Sequence, residues 1–223
     1  MKITNSKVIK KLTVFVAPLA FAVIGYLILY FSAKSFITPV ISIWRMLYND
    51  SGETAVSDNY SDIYTDVFHN YTDSVPSSQI TFPLPNTKFG EISIEGTAVS
   101  CALIYGDSDA MLHRGACQYA GSSFPGFGST VLIAGHNNTY FNSLKDAVPG
   151  AIITIKTNYG VYKYRITSSA IKSNDDKSAY DLSSKSENVV LYTCYPFNAL
   201  GLTSQRYFVY GEYVSGPRVL LDE

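Results

Sequence analysis

Two apolar runs in this chain end on reactive side chains. TVLIAGHNN is stopped by Gly135 and followed by His136, and NVVLYTCYP ends on Cys194 before Pro196. A buried strand holds its last residue rigidly while the loop that follows exposes it, which suits a reactive group. Cysteine reacts as the thiolate, and a neighbouring imidazole favours that form or shuttles the proton. Taken singly, a cysteine at a strand end is more often a small buried hydrophobe. Arg206 alters that balance. It opens SQRYFVYGEY beside polar Ser204 and Gln205, and a permanently charged guanidinium can donate several hydrogen bonds to a developing oxyanion. Sulfur, imidazole and guanidinium together are the parts of covalent acyl transfer.

The elements that must hold these groups are short. Strands are expected at Glu91–Ile94, Val99–Tyr105, Thr130–Ala134, Ile152–Thr157, Gly160–Ser168, Val189–Cys194 and Tyr207–Val214, separated by turn signals such as Gly106–Asp107 and Pro149–Gly150. The pair 152–157 and 160–168, joined by two residues, reads as a hairpin. Helical pieces are expected at Ser108–Arg114 and near Tyr140–Asp146. Short strands without alternating long helices argue for an antiparallel sandwich or barrel.

The rest of the chain fits a tethered enzyme. Its 223 residues, 47% apolar and 16% charged, allow one packed domain with an appendage, and a net charge of −1 gives no basic excess for nucleic acid. Leu12 to Ala33 is uncharged; at 1.5 Å per residue it spans about 33 Å, enough for a bilayer core. Lys2, Lys7, Lys10 and Lys11 precede it, so the positive-inside rule puts residues 1–11 in the cytoplasm and the remainder outside. A cleavable signal peptide has a shorter apolar region than this. Residues 36–48 form a second apolar patch, too short to span. Residues 34–80 read as an extracellular stalk, rich in Ser, Thr, Asp and Asn, with a short docking helix at Ile63, Val67 and Tyr71 as the alternative. Residues 81–223 are the expected catalytic domain.

GHN after an apolar strand, a later TCYPF, and an arginine opening the next strand together resemble the sortase signature. FGEISI, GDSDAMLHRGACQYAGSSFPGFGSTVLIAGH and NYGVYKYRI extend the resemblance over roughly residues 88–215, and TCYPFNALGLTSQRYFVY is most similar to the class D branch. The resemblance implies a mainly β fold, a closed eight-stranded sortase-type barrel with short helices after one transmembrane helix. It also implies roles for His136, Cys194 and Arg206. The reaction it implies is transpeptidation at an LPXTG-type sorting signal between Thr and Gly. A thioester forms on Cys194 and is resolved by an amine of a cell-wall precursor or a pilin Lys. The setting it implies is the membrane of a Gram-positive bacterium. No cofactor is expected, and dependence on Ca²⁺ is left open.

Further residues have weaker assignments. Asn137 and Thr193 read equally as substrate contacts and as loop and strand hydrogen bonding. Phe197, Leu200 and Leu202, between Pro196 and Gln205, are candidates to line a groove for the Leu-Pro part of a substrate. Asn174–Ser186 falls where the family keeps a specificity loop. His113, in AMLHRGA, shows no ligand spacing with His136 or the cysteines, so no metal is expected. Cys101 and Cys117 read equally as a disulfide and as buried thiols. LPNTK at Leu84–Lys88 reads as an extended lead into the first strand, or as a sorting-signal mimic acting as a lid. Competing functions are a surface cysteine peptidase that only hydrolyses and a non-catalytic adhesion module on a membrane stalk. An L,D-transpeptidase is disfavoured, because Arg206 lies twelve residues beyond Cys194 instead of within one compact motif.

Overall fold

A computed structural model of the chain describes residues 16, 18–30, 73–197, 199 and 203–222. The second apolar patch at 36–48, the docking-helix residues Ile63, Val67 and Tyr71, and the groove candidates Leu200 and Leu202 lie outside these. Residues 18–30 are helical, and Leu19, Phe21, Tyr26 and Leu29 on them are exposed. Among the described residues no helix is long and apolar enough to cross a membrane.

The residues described from 73 onward are mainly β-structure. Among the described residues ten strands follow in chain order: β1 Ser74–Pro76, β2 Lys88–Ile94, β3 Ser100–Tyr105, β4 Ala116–Gln118, β5 Thr130–Ala134, β6 Ile152–Thr157, β7 Gly160–Ser173, β8 Asn188–Tyr195, β9 Gln205–Ser215 and β10 Arg218–Leu220. Eight of them close a barrel in the order β2-β3-β4-β5-β8-β9-β7-β6, as the resemblance implied. Closure removes exposed strand edges. The hairpin appears as expected, with Thr157 opposite Gly160.

Alternation explains most of the barrel. In β6 and β7, every second residue faces inward, including Ile153, Ile155, Tyr162 and Tyr164, each fully buried. Strand β5 departs from this pattern, with all five residues buried. Val131 and Ile133 join the barrel interior. Leu132, on the outer face, packs with Val190, Phe208 and Ala179 in a second cluster. Ala179 comes from the segment Asn174–Ser186, which therefore covers the outer wall. Tyr210 donates to the Ala179 carbonyl at 2.9 Å, and Thr130 to that of Asp181 at 2.5 Å.

Three short strands have no signature in the sequence. Strand β4 is three residues long and wholly buried, so it shows no period. Strands β1 and β10 pair in parallel across the whole domain, Val75 opposite Val219. With Val75 and Ile80 buried in the core, the packed body reaches back to Ser74, ahead of the expected start at 81. LPNTK is a turn. Asn86 has φ of 71°, donates its backbone N–H to the Tyr105 carbonyl at 2.8 Å and accepts from Arg114 at 2.5 Å through its side chain. That holds the segment at the end of β3.

Candidate active site

Parallel pairing of β5 with β8, Ala134 opposite Tyr192, makes both strands finish at the same end of the barrel. Such neighbours need a long crossover, which here carries β6 and β7. The loops that follow are laced together. The Gly135 N–H donates to the Tyr192 carbonyl at 3.2 Å. Thr193 Oγ1 donates to the Gly135 carbonyl at 2.6 Å. Asn137 Nδ2 donates to the Pro196 carbonyl at 3.0 Å. His136 and Cys194 thus sit on two chain segments tied on both sides of each residue. Thr193 and Asn137 are buried, and each donates its side-chain bond to a backbone carbonyl across the two loops. Gly135 is required by close approach: a Cβ there would lie 2.6 Å from the Phe141 ring.

The third group arrives by antiparallel pairing of β8 with β9, where Cys194 lies directly opposite Arg206. Opposite residues of an antiparallel pair project on the same face with Cβ atoms about 4.5–5.5 Å apart. One terminal nitrogen of Arg206 donates to the Thr203 carbonyl at 2.7 Å, Thr203 Oγ1 at 3.2 Å and the Gln205 carbonyl at 2.9 Å. These bonds hold the side chain along the mouth of the β8–β9 connection. Phe197 packs on the barrel core, edge-on to Tyr207 at 5.3 Å and Tyr195 at 6.2 Å. It anchors that connection.

The electrostatics favour a neutral imidazole. Burial lowers the pKa of His136 below its ordinary value and the charge of His113 adds to that, partly opposed by Asp109. At neutral pH an imidazole below its usual range is mostly a proton acceptor. Cys101 and Cys117 differ in kind. Both are free thiols, which settles the question left open by their spacing. Burial pushes Cys101 up to about 11 and Cys117 up to about 12, so neither forms a useful amount of thiolate at neutral pH.

Two residues lie beside His136: His113, which the sequence set aside as showing no ligand spacing, and Asp109, which it did not single out. His113 packs against His136 with ring centroids 4.8 Å apart. Asp109, His113 and His136 bring their ligand atoms within 4.8 Å of one another, although nothing in their spacing announces it. Asp109 and His113 are four apart around a one-turn helix, Asp109–Leu112, capped by Ser108; that much was legible.

The family model described as the sortase domain matches residues 92–214, more than half of the chain. A curated relative, sortase D of Bacillus subtilis (strain 168), is 27% identical over 146 residues, covering 66% of this chain and 74% of its own. Among solved structures, a Clostridium perfringens sortase D5 transpeptidase superposes with TM-score 0.54 at 20% identity, covering 60% of this chain and 83% of its own. Sortase A of Listeria monocytogenes gives 0.52 at 20% identity, covering 60% and 91%. At such identities the solved structures speak for the fold. The eight-stranded closure, the shared mouth of β5, β8 and β9, and the matched domain lead to one conclusion: this chain belongs to the sortase family of cysteine transpeptidases and is most like class D.

Proposed function

We propose that Cys194 is the nucleophile, His136 its proton partner and Arg206 the oxyanion donor in transpeptidation of an LPXTG-type sorting signal. The observation that carries this reading is the register of β8 and β9, which sets Cys194 opposite Arg206 at the barrel mouth where His136 also emerges. His136 accepts the thiol proton. The sulfur attacks the carbonyl carbon of the signal's Thr, and the oxyanion faces the guanidinium. As the tetrahedral intermediate collapses, the C–N bond to Gly breaks and His136 returns the proton to the leaving amine. A thioester remains on Cys194. An incoming amine, from a cell-wall precursor or a pilin Lys, attacks it, gives up a proton to His136 and restores the thiol. The energy of the cleaved amide is kept in the thioester, so no nucleotide is required.

The N-terminal segment supports a membrane tether. Residues 12–33 carry no charge, and the helix at 18–30 exposes large apolar side chains all round. A helix apolar on every side belongs in an apolar surrounding. The expected arrangement is a single span, with the barrel on the outer face of the cell membrane.

The test is incubation of the full-length chain with a library of LPXTG-like peptides, with and without an added amine, followed by mass spectrometry. An acyl adduct on Cys194 that passes to the amine is expected. Adducts on another residue, or none, refute the assignment; equal free-acid product in both arms makes the protein a peptidase.

A further inference from the structure

Strand β4 runs antiparallel to β5, Cys117 opposite Ala134, so residues entering β4 lie beside residues leaving β5. That topology delivers His113 and Asp109 to His136. His113 Nε2 stands 3.7 Å from Asp109 Oδ2. Tyr140, on the loop after His136, donates to the His113 carbonyl at 3.3 Å, and the Phe141 N–H donates to the His136 carbonyl at 3.0 Å. The Tyr140 hydroxyl therefore ties the segment that carries His113 to the loop that carries His136.

Around His136 the buried side chains of Thr193 and Asn137 have hydrogen-bond partners. His136 Nε2 has none among the described residues, although it is buried. Buried polar atoms in native proteins are rarely left so. An unpartnered ring nitrogen next to a second imidazole and a carboxylate is a donor set without its acceptor. Two imidazoles and one carboxylate suit zinc, cobalt, nickel or copper, whereas calcium and magnesium need more oxygen ligands.

We propose that Asp109, His113 and His136 form a reversible site for a divalent transition-metal ion of the zinc type, and that a bound ion withdraws His136 from proton transfer. Tetrahedral coordination with bonds of about 2.0–2.2 Å sets ligand atoms roughly 3.4 Å apart. Asp109 and His113 are exposed and close the difference from 4.8 Å by side-chain rotation, while the laced loop keeps His136 in place. Water or another small ligand completes the shell. A ring nitrogen bonded to metal has no lone pair for the thiol proton. This inhibitory half rests on the proposed role of His136; the binding half does not.

Both halves are read separately in the full-length chain. The Cys194→Ala variant, which lacks the thiolate as a competing ligand, is titrated with Co²⁺ and followed by visible absorption. One equivalent should bind, giving d–d bands without thiolate charge transfer, and Zn²⁺ should displace it. Outer-shell partners of metal sites are worth 10–100-fold in affinity, so removing a direct ligand by His113→Ala or Asp109→Asn should weaken binding at least about tenfold. No saturable Co²⁺ binding, or binding unmoved by both substitutions, overturns the site. In chains that retain Cys194, Zn²⁺ should slow peptide cleavage reversibly with EDTA, and His113→Ala should need at least about tenfold more Zn²⁺, each rate taken relative to that chain's own metal-free rate. Equal Zn²⁺ sensitivity in His113→Ala overturns the inhibitory half and assigns the effect to Cys194.

Discussion

The β8–β9 wall and the β3–β4 wall of the barrel each carry cysteine, and they set it in different surroundings. On β8, Cys194 is one residue from the strand's end and faces an arginine on the neighbouring strand. On β3 and β4, Cys101 and Cys117 lie within the ladder, and burial raises their thiol pKa values to about 11 and 12. All three sit one residue from a strand end; what separates them is the neighbour across the ladder, Arg206 for Cys194 against Ile92 for Cys101 and Ala134 for Cys117. Residue type does not.

That contrast can be broken from either side. The largest effect is expected for Cys194→Ala, which should abolish thioester formation and peptide cleavage, as should His136→Ala; turnover near wild type in either would remove the assigned role. Arg206→Ala should lower kcat by about 10²–10³, the range for one oxyanion donor, with KM for the peptide changed far less. Alkylation with iodoacetamide at pH 7 should label Cys194 well ahead of the other two. Labelling of Cys101 and Cys117 should rise about tenfold per pH unit as their thiolates grow, up to pH about 11 and 12. Equal labelling of all three at pH 7 would erase the contrast. Thr193→Val should cost about 1 kcal/mol of stability through loss of the bond to the Gly135 carbonyl, measured by chemical denaturation. It should also lower kcat, since the same bond ties the His136 loop to β8. Smallest is Cys117→Ala: a modest loss of stability, about 1 kcal/mol, from a small buried cavity, with cleavage unchanged.

Legibility followed element length. Long alternating strands such as β6 and β7 declared themselves, and so did their two-residue turn, because a side-chain period of two survives only when one face is wet. Strand β4 has no wet face and only three residues. The parallel β1–β10 pair joins the two ends of the domain, and no local pattern encodes a partner that far away. The segment Asn174–Ser186 read only as the place where the family keeps a specificity loop. Its few apolar residues, Ala179 and Leu182, pack on Leu132 and Phe208, which composition alone does not reveal.

From its residues alone the chain declared a cysteine and a histidine at strand ends, an arginine opening a strand, and a charge-free N-terminal stretch, because these depend on local type and order. Only the folded barrel decided that β5 and β8 end together, that Cys194 faces Arg206, and that Asp109 and His113 come to rest beside His136. Those outcomes depend on strand register and direction, which are set by how the whole sheet closes on its core.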